Sequence, residues 1–109
     1  MVFEVYSKRR NLGESKEDFA WTTFNYDSFS KELVAFSVVQ IYVDKEVIKY
    51  DTAHGVAHVH KYYFKKPVIE ELNVLEINST SYRICLSDVL INWEKYKDFY
   101  LKKERFNNM

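Results

Sequence analysis

A chain of 109 residues is long enough for one domain with a modest core, and its 47% hydrophobic content excludes a disordered protein. Sixteen basic residues balance sixteen acidic ones, so the large positive excess typical of nucleic-acid-binding proteins is missing, although a local basic patch remains compatible with the composition. The single cysteine, Cys85, excludes an internal disulfide and a cysteine-rich zinc site. We expect a single domain over residues 1–109, located in the cytoplasm, with no signal peptide and no membrane association, because no apolar stretch is long enough for either.

The front of the chain predicts strands. Residues 2–8 alternate apolar and polar side chains and predict a first strand, while the polar residues 9–18 predict a loop. The aromatic and Thr-rich residues 19–26 suit a pleated surface. Residues 33–43 are apolar on both faces, which predicts a central strand covered on both sides. Residues 46–52 resume strand character and predict a hairpin with that strand, joined by a turn longer than two residues because Gly is missing.

The back of the chain predicts a fifth strand and a helix. Residues 56–64 read as a strand that ends before Pro67, and residues 66–75 suit either a short helix or an extended segment. Good N-cap residues occupy positions 78–81, and apolar residues then recur every three or four positions, which predicts an amphipathic helix of about six turns.

These elements predict an α+β fold, in which a mainly antiparallel sheet of four to five strands is covered on one face by a long C-terminal amphipathic helix. The helix stripe that contains Trp93 and Tyr96 is expected to be core. Two alternatives remain for what covers the other face of the central strand. Either the aromatic residues Trp21, Phe24 and Tyr26 curl over it, or a second copy of the protein covers it.

All three histidines of the chain, His54, His58 and His60, fall within seven positions. On a strand, His58 and His60 point to the same face at roughly 6–7 Å, and Tyr62 continues the row. Asp51 is close enough in sequence to reach one imidazole and fix its tautomer. The cluster is therefore the candidate site of this chain.

Three chemical interpretations of this cluster remain open. The first is metal-free cleavage of RNA, in which His54, His58 and His60 carry the acid–base chemistry and Asp51 orients them, without a cofactor. In that interpretation phosphate is held by nearby basic side chains, namely Lys61, Lys65, Arg9 and Arg10. The second is a divalent metal such as zinc, bound by His58 and His60 with His54 or Asp51 as the third ligand and an open position for water. The third is purely structural, with the imidazoles hydrogen-bonded to backbone or carboxylate.

Two stretches carry a resemblance to a known group. The run EVIKYDTAHGVAHVHKYY, at residues 46–63, and the tail SDVLINWEKYKDFYLKK, at residues 87–103, resemble small uncharacterised prokaryotic proteins related to TumE-type toxins of toxin–antitoxin modules. The shared features are a strand pair ending in Lys-Tyr-Asp, an Asp-x-Ala-His turn, a later His-x-His and a closing helix with Trp and Tyr. The positions carried over are Tyr50, Asp51, His54, His58 and His60. Residues 19–32 have no counterpart in this pattern.

The resemblance implies a small α+β toxin that acts on RNA and is neutralised by an antitoxin protein. The alternative is a non-catalytic interaction module, either a homo-oligomer or bound to an antitoxin-like partner, with structural histidines. The position of the imidazoles separates the two hypotheses. A cleft beside Lys61 or Arg9 favours the enzyme, and burial under the C-terminal helix favours the module.

Overall fold

The computed structural model describes residues 3–73 and 75–107, except for the side chains of His54 and Asn107. This part of the chain forms an antiparallel sheet followed by one long helix, which confirms the predicted fold class. No helix within it is long and apolar enough to cross a membrane. The strands are β1 (Phe3–Asn11), β2 (Asp18–Asp27), β3 (Leu33–Tyr42), β4 (Lys45–Asp51), β5 (His58–Lys61) and β6 (Val68–Glu71), with a 3-10 turn at Ala53–Gly55, and the helix is α1 (Ser79–Asn107).

The sheet has six strands in the order of the sequence, so it contains more strands than the four to five predicted. The additional strand is β6, in the segment that suited either helix or strand. It pairs with β5, and Pro67 stands just before it, where no ladder hydrogen bond is lost. The first strand continues through Arg9 and Arg10, which were predicted as loop, because charged side chains are well tolerated on an edge strand.

The β3–β4 hairpin corrects the expected longer turn. Its two loop residues, Val43 and Asp44, have φ angles of 48° and 62°. Two successive positive φ angles are typical of the I′ turn, whose twist suits two-residue hairpins. A β-branched residue such as Val43 is strained in this region, so the hairpin is formed despite its sequence.

Helix α1 begins with a reciprocal cap and runs for 29 residues, well beyond the six turns predicted. The side chain of Asn78 accepts a hydrogen bond from the Ser81 N–H at 2.9 Å, and the Ser81 hydroxyl accepts one from the Asn78 N–H at 3.0 Å. These two bonds satisfy donors that a helix start leaves free.

The core lies between α1 and one face of the sheet. Phe36 and Val38 of β3, Ile48 of β4 and Val89 of α1 are buried there. The buried Gln40 side chain donates to the carbonyl of Trp93 at 2.8 Å, which ties the central strand to the middle of the helix. Tyr96 is buried and Trp93 packs against the same cluster, so the predicted core stripe is confirmed.

The opposite face of the sheet carries no helix in the described part of the chain. Trp21 and Val39, which are paired across β2 and β3, point to this open face, and Trp21 is 41% exposed. Phe24 and Tyr26 do not cover it, contrary to one of the alternatives, because they pack on the helix side, where Phe24 meets Tyr82 at 5.3 Å. An open trough of about 520 Å³ follows the middle of this face.

Candidate active site on the open sheet face

A short connection between β4 and β5 brings the candidate residues together. After Asp51 the chain makes a 3-10 turn in which Gly55 has a φ of 76°, a value that glycine adopts without strain. The turn is fixed from two sides. The Ala53 N–H donates to the Asp51 carboxylate at 3.3 Å, and the Thr52 hydroxyl donates to the Phe36 carbonyl at 3.3 Å. The chain therefore returns directly alongside β4.

The antiparallel register then determines which side chains meet. His58 stands opposite Asp51, and His60 stands opposite Lys49. Residues opposite each other in antiparallel strands point to the same face, and so do residues two apart. All four side chains therefore share the open face, as the sequence predicted for the two histidines.

Asp51 lies between the two imidazoles. Its Oδ2 is 3.1 Å from His60 Nε2, and its Oδ1 is 3.9 Å from His58 Nδ1. The ring centres of His58 and His60 are 6.5 Å apart, which confirms the expected spacing. The ring of Tyr62 continues the row, stacked on His60 at 5.8 Å.

Glu71 of β6 is a member of the site that sequence reasoning missed. Its Oε1 lies 3.8 Å from His58 Nε2, so His58 has a carboxylate near each ring nitrogen. Nothing in the sequence signalled Glu71, because its segment suited helix and strand equally well. Only its pairing opposite His58 brings it to the cluster.

The cluster is half-buried and reachable from solvent. The side chains of Asp51 and His58 are each 15% exposed, and that of His60 is 20% exposed. They lie on the open face and not beneath α1. The contact of His60 with the Asp51 carboxylate is also the kind of contact that the structural interpretation expects. His58 Nδ1 makes no hydrogen bond to the residues that the structure describes.

The metal alternative depends on a third ligand beside His58 and His60. The backbone of His54 lies in the 3-10 turn Ala53–Gly55, and its side chain is outside the described part of the chain. Within that part, no group of three His, Cys, Asp or Glu residues is arranged to hold a metal ion. Both described imidazoles face the Asp51 carboxylate, His58 through Nδ1 at 3.9 Å and His60 through Nε2 at 3.1 Å.

The predicted phosphate-binding residues are not brought to the histidines. Lys61 points to the helix side and pairs with Glu70 at 3.0 Å, since neighbouring residues on a strand face opposite ways. Arg9 shares the open face but lies four strands from β5, roughly 19 Å at a spacing of about 4.8 Å per strand. Arg10 lies next to it with the opposite orientation, and Lys65 is exposed in the loop after β5. The cation nearest the site is Lys49, whose Nζ is 4.0 Å from Asp51.

The trough supplies a binding surface next to the cluster. Trp21 forms an aromatic wall, and Lys49 and Asp51 line the end nearest the histidines. Tyr62 adds a second ring beside His60, and its pKa is raised, mainly because burial disfavours the phenolate. An exposed aromatic ring such as that of Trp21, together with a nearby cation, can hold the bases and phosphates of a single-stranded nucleic acid.

A second polar cluster lies on the other side of the sheet, under α1. The carboxylate of Asp88 accepts hydrogen bonds from Tyr50 at 2.6 Å, from Tyr96 at 2.8 Å and from Asn92 at 2.8 Å. Burial raises the pKa of both tyrosines well above the usual range, and their hydrogen bonds to Asp88 raise it further. Tyr50, one of the positions carried over by the resemblance, thus points away from the histidines. The spacing of Asp88, Asn92 and Tyr96 at four-residue steps was the sequence signal for this cluster.

A family model matches most of the chain. The family described as a domain of unknown function (DUF7718) matches residues 15–106, which include β2 to β6 and nearly all of α1. No curated protein and no solved structure shows significant similarity to the chain. The matched region covers most of the 109 residues, so the chain belongs to the DUF7718 family.

Proposed function

We propose that this protein is a cytoplasmic, TumE-like toxin that cleaves RNA by histidine acid–base chemistry. The observation that carries the proposal is the pair of half-buried imidazoles, His58 and His60, 6.5 Å apart on an open face with Asp51 between them. A phosphodiester lying across this pair can meet one imidazole at each of its two reacting oxygens. Imidazole is the side chain that most often serves as the general acid or base in such proton transfers.

The reaction follows from that placement. One imidazole accepts the proton of the ribose 2′-hydroxyl, and the 2′-oxygen forms a bond to phosphorus. The bond from phosphorus to the 5′-oxygen breaks, and the second imidazole donates its proton to that leaving oxygen. The products are a 2′,3′-cyclic phosphate and a 5′-hydroxyl, and the step consumes no cofactor. Asp51, 3.1 Å from His60, positions that ring.

Substrate binding is assigned to the trough. Unpaired bases stack on Trp21 in the trough and on Tyr62 next to His60, and Lys49 lies beside the phosphate attached to the reacting ribose. The equal numbers of acidic and basic residues favour a short single-stranded segment over a long duplex, because duplex binding relies on many phosphate contacts.

The test is cleavage of an end-labelled single-stranded RNA by the purified protein in EDTA. His58→Ala and His60→Ala are each expected to lower the rate by about 100-fold or more, the usual contribution of general acid–base catalysis. Asn25→Ala, on the same face but on β2, is the matched control and is expected to retain activity. A substrate with 2′-deoxyribose at the cleaved position is expected to stay intact, because it lacks the nucleophile.

The pH–rate profile assigns the two roles. Loss of the base removes the rise on the acidic side, and loss of the acid removes the fall on the alkaline side. His54→Ala shows in the same assay whether the third histidine takes part. Equal cleavage by the wild type and by a folded His58→Ala/His60→Ala variant contradicts the proposal, and a requirement for added zinc supports the metal alternative instead.

The second candidate is a non-catalytic interaction module that binds an antitoxin-like partner. The exposed apolar side chains of the open face favour it, since Val5 and Ile69 are each 62% exposed there and Trp21 lies between them. Growth arrest in the host separates the two candidates. A toxin that cleaves RNA loses its effect with His58→Ala/His60→Ala, whereas a module that acts through the apolar face retains it and loses it with Trp21→Ala.

A further inference from the structure

The two edges of the sheet differ strongly in how they are protected. The β6 edge is only four residues long, follows Pro67 and carries the paired acids Glu70 and Glu71. Short strands, proline and charge are the usual means of preventing a sheet edge from pairing with another chain. The β1 edge carries four charged side chains, but it has nine residues, regular pairing to β2, and no proline, glycine or bulge. It is therefore the edge at which this sheet can be extended.

The backbone groups that β1 offers can be identified from its register with β2. The Leu12 N–H donates to the Asp18 carbonyl at 3.0 Å, and this pair continues the β1–β2 register by one step. Hydrogen-bonded pairs alternate along an antiparallel ladder, so the even-numbered residues of β1 bond to β2. The N–H and C=O groups of the odd-numbered residues point outward, and these are Phe3, Val5, Ser7, Arg9 and Asn11.

The charges of β1 are arranged for pairing with another copy of itself. Glu4 lies near one end of the strand and Arg10 near the other, both on the helix side of the sheet. The Nε of Arg10 is buried and makes no hydrogen bond to the described residues. Glu4 accepts a hydrogen bond from the Tyr6 hydroxyl at 2.9 Å and makes an exposed contact with Lys31 at 3.3 Å. An exposed ion pair contributes little, so a better-placed cation can replace Lys31.

We propose that β1 pairs antiparallel with β1 of a second copy about a two-fold axis at Ser7. In this register Glu4 faces Arg10 of the second copy, and Tyr6 faces Lys8. Every outward-pointing residue then opposes another outward-pointing residue, so the free backbone groups on both chains are used. The helix side of one sheet also continues into the helix side of the other. The two sheets therefore form one twelve-stranded sheet with both helices on the same side.

Disulfide cross-linking tests the register directly. At the two-fold axis the Cα atoms of Ser7 in the two copies are about 5.5 Å apart, within the range that a disulfide spans. Ser7→Cys is expected to form a covalent dimer on mild oxidation. Val5→Cys is the matched control, because the two copies of residue 5 are displaced by about 14 Å along the strand and are expected to remain unlinked. Cys85 is buried and does not interfere.

Charge exchange tests the pairing without a cross-link. Glu4→Arg and Arg10→Glu each place like charges opposite one another twice per dimer, and each is expected to raise the dimer dissociation constant about tenfold in sedimentation equilibrium. An equimolar mixture of the two variants is expected to form a heterodimer of nearly wild-type affinity, because Arg then faces Glu at both ends. This rescue depends on antiparallel pairing in the stated register.

Three results overturn the proposal. One is a wild-type protein that remains monomeric at 0.5 mM, because the β1 edge then does not pair with a second copy. Another is a wild-type dimer whose affinity neither variant changes. The third is equal cross-linking of Ser7→Cys and Val5→Cys. Circular dichroism of each variant shows that the fold is retained, and the outcome does not depend on RNA cleavage, so this proposal and the proposed function fail separately.

Discussion

Replacing Tyr50 with Phe tests the polar cluster under α1. The Tyr50 hydroxyl donates to Asp88 at 2.6 Å and joins β4 to the helix, while Tyr96 and Asn92 also donate to that carboxylate. Hydrogen bonds to charged groups contribute about 1.5–3 kcal/mol. Two donors remain after the substitution, so we expect a loss of about 1.5 kcal/mol in the free energy of unfolding, equivalent to about 6 °C in Tm.

The pH dependence of this loss follows from the raised pKa of Tyr50. A raised pKa contributes stability that is fully present below the unfolded value of about 10 and is lost as the pH rises toward the folded value. The difference between wild type and Tyr50→Phe is therefore expected to be constant from pH 7 to 9 and to shrink above pH 10. Urea unfolding followed by tryptophan fluorescence at pH 8 and at pH 10.5 measures it.

The matched control is Tyr82→Phe. The Tyr82 hydroxyl is buried and makes no hydrogen bond to the described residues, so its removal is expected to be neutral or stabilising. A Tyr50→Phe protein within about 0.5 kcal/mol of wild type at pH 8, or a difference that does not change above pH 10, refutes the assignment of a stabilising hydrogen bond to Asp88.

Three further substitutions or modifications follow from local geometry. Val43→Asn, in the two-residue turn with positive φ, is expected to raise the free energy of unfolding by about 1 kcal/mol in urea titrations, and a destabilised protein contradicts the turn strain. Burial, reinforced by the nearby charge of Asp88, raises the pKa of the Cys85 thiol to about 12. Thiol reagents are therefore expected to label Cys85 slowly in the native protein and rapidly in urea, and equal labelling rates contradict its burial. Hydrogen bonds from the backbone N–H groups of Ser30 and Phe29 lower the pKa of Asp27. Asp27→Ala is therefore expected to reduce stability at pH 7, by an amount that shrinks as the pH falls through the folded pKa of this carboxyl, and a loss that does not change with pH points to another cause.

The strand pattern was predictable where side-chain alternation is strong. Residues 33–43 and 46–52 predicted β3 and β4 within a few residues. Residues 66–75 were ambiguous because Pro67 and the following acids suit a helix start, while Val68 and Ile69 suit a strand. Pairing with β5 decided the outcome, and such tertiary pairing cannot be read from local preference.

The site was predictable to the extent that it depends on the period of a strand. That period places His58 and His60 together, and the return of the chain after Asp51 adds the carboxylate. The prediction that basic residues lie beside the histidines was wrong for Lys61, because Lys61 immediately follows His60 on the strand and therefore faces the helix side. Glu71 and Lys49 depend on cross-strand register, for which the sequence has no direct signal.

The consecutive strand order has a consequence for the folding route. Each strand pairs with its neighbour in sequence, so the sheet can form one hairpin at a time and closes only short loops. Helix α1 must instead pack across β3 and β4, tens of residues earlier in the chain. We expect the hairpins to form first and the docking of α1 to complete the native state. Before docking, the sheet exposes the apolar side chains of Phe36 and Ile48, which pack against Val89 of α1 in the native protein.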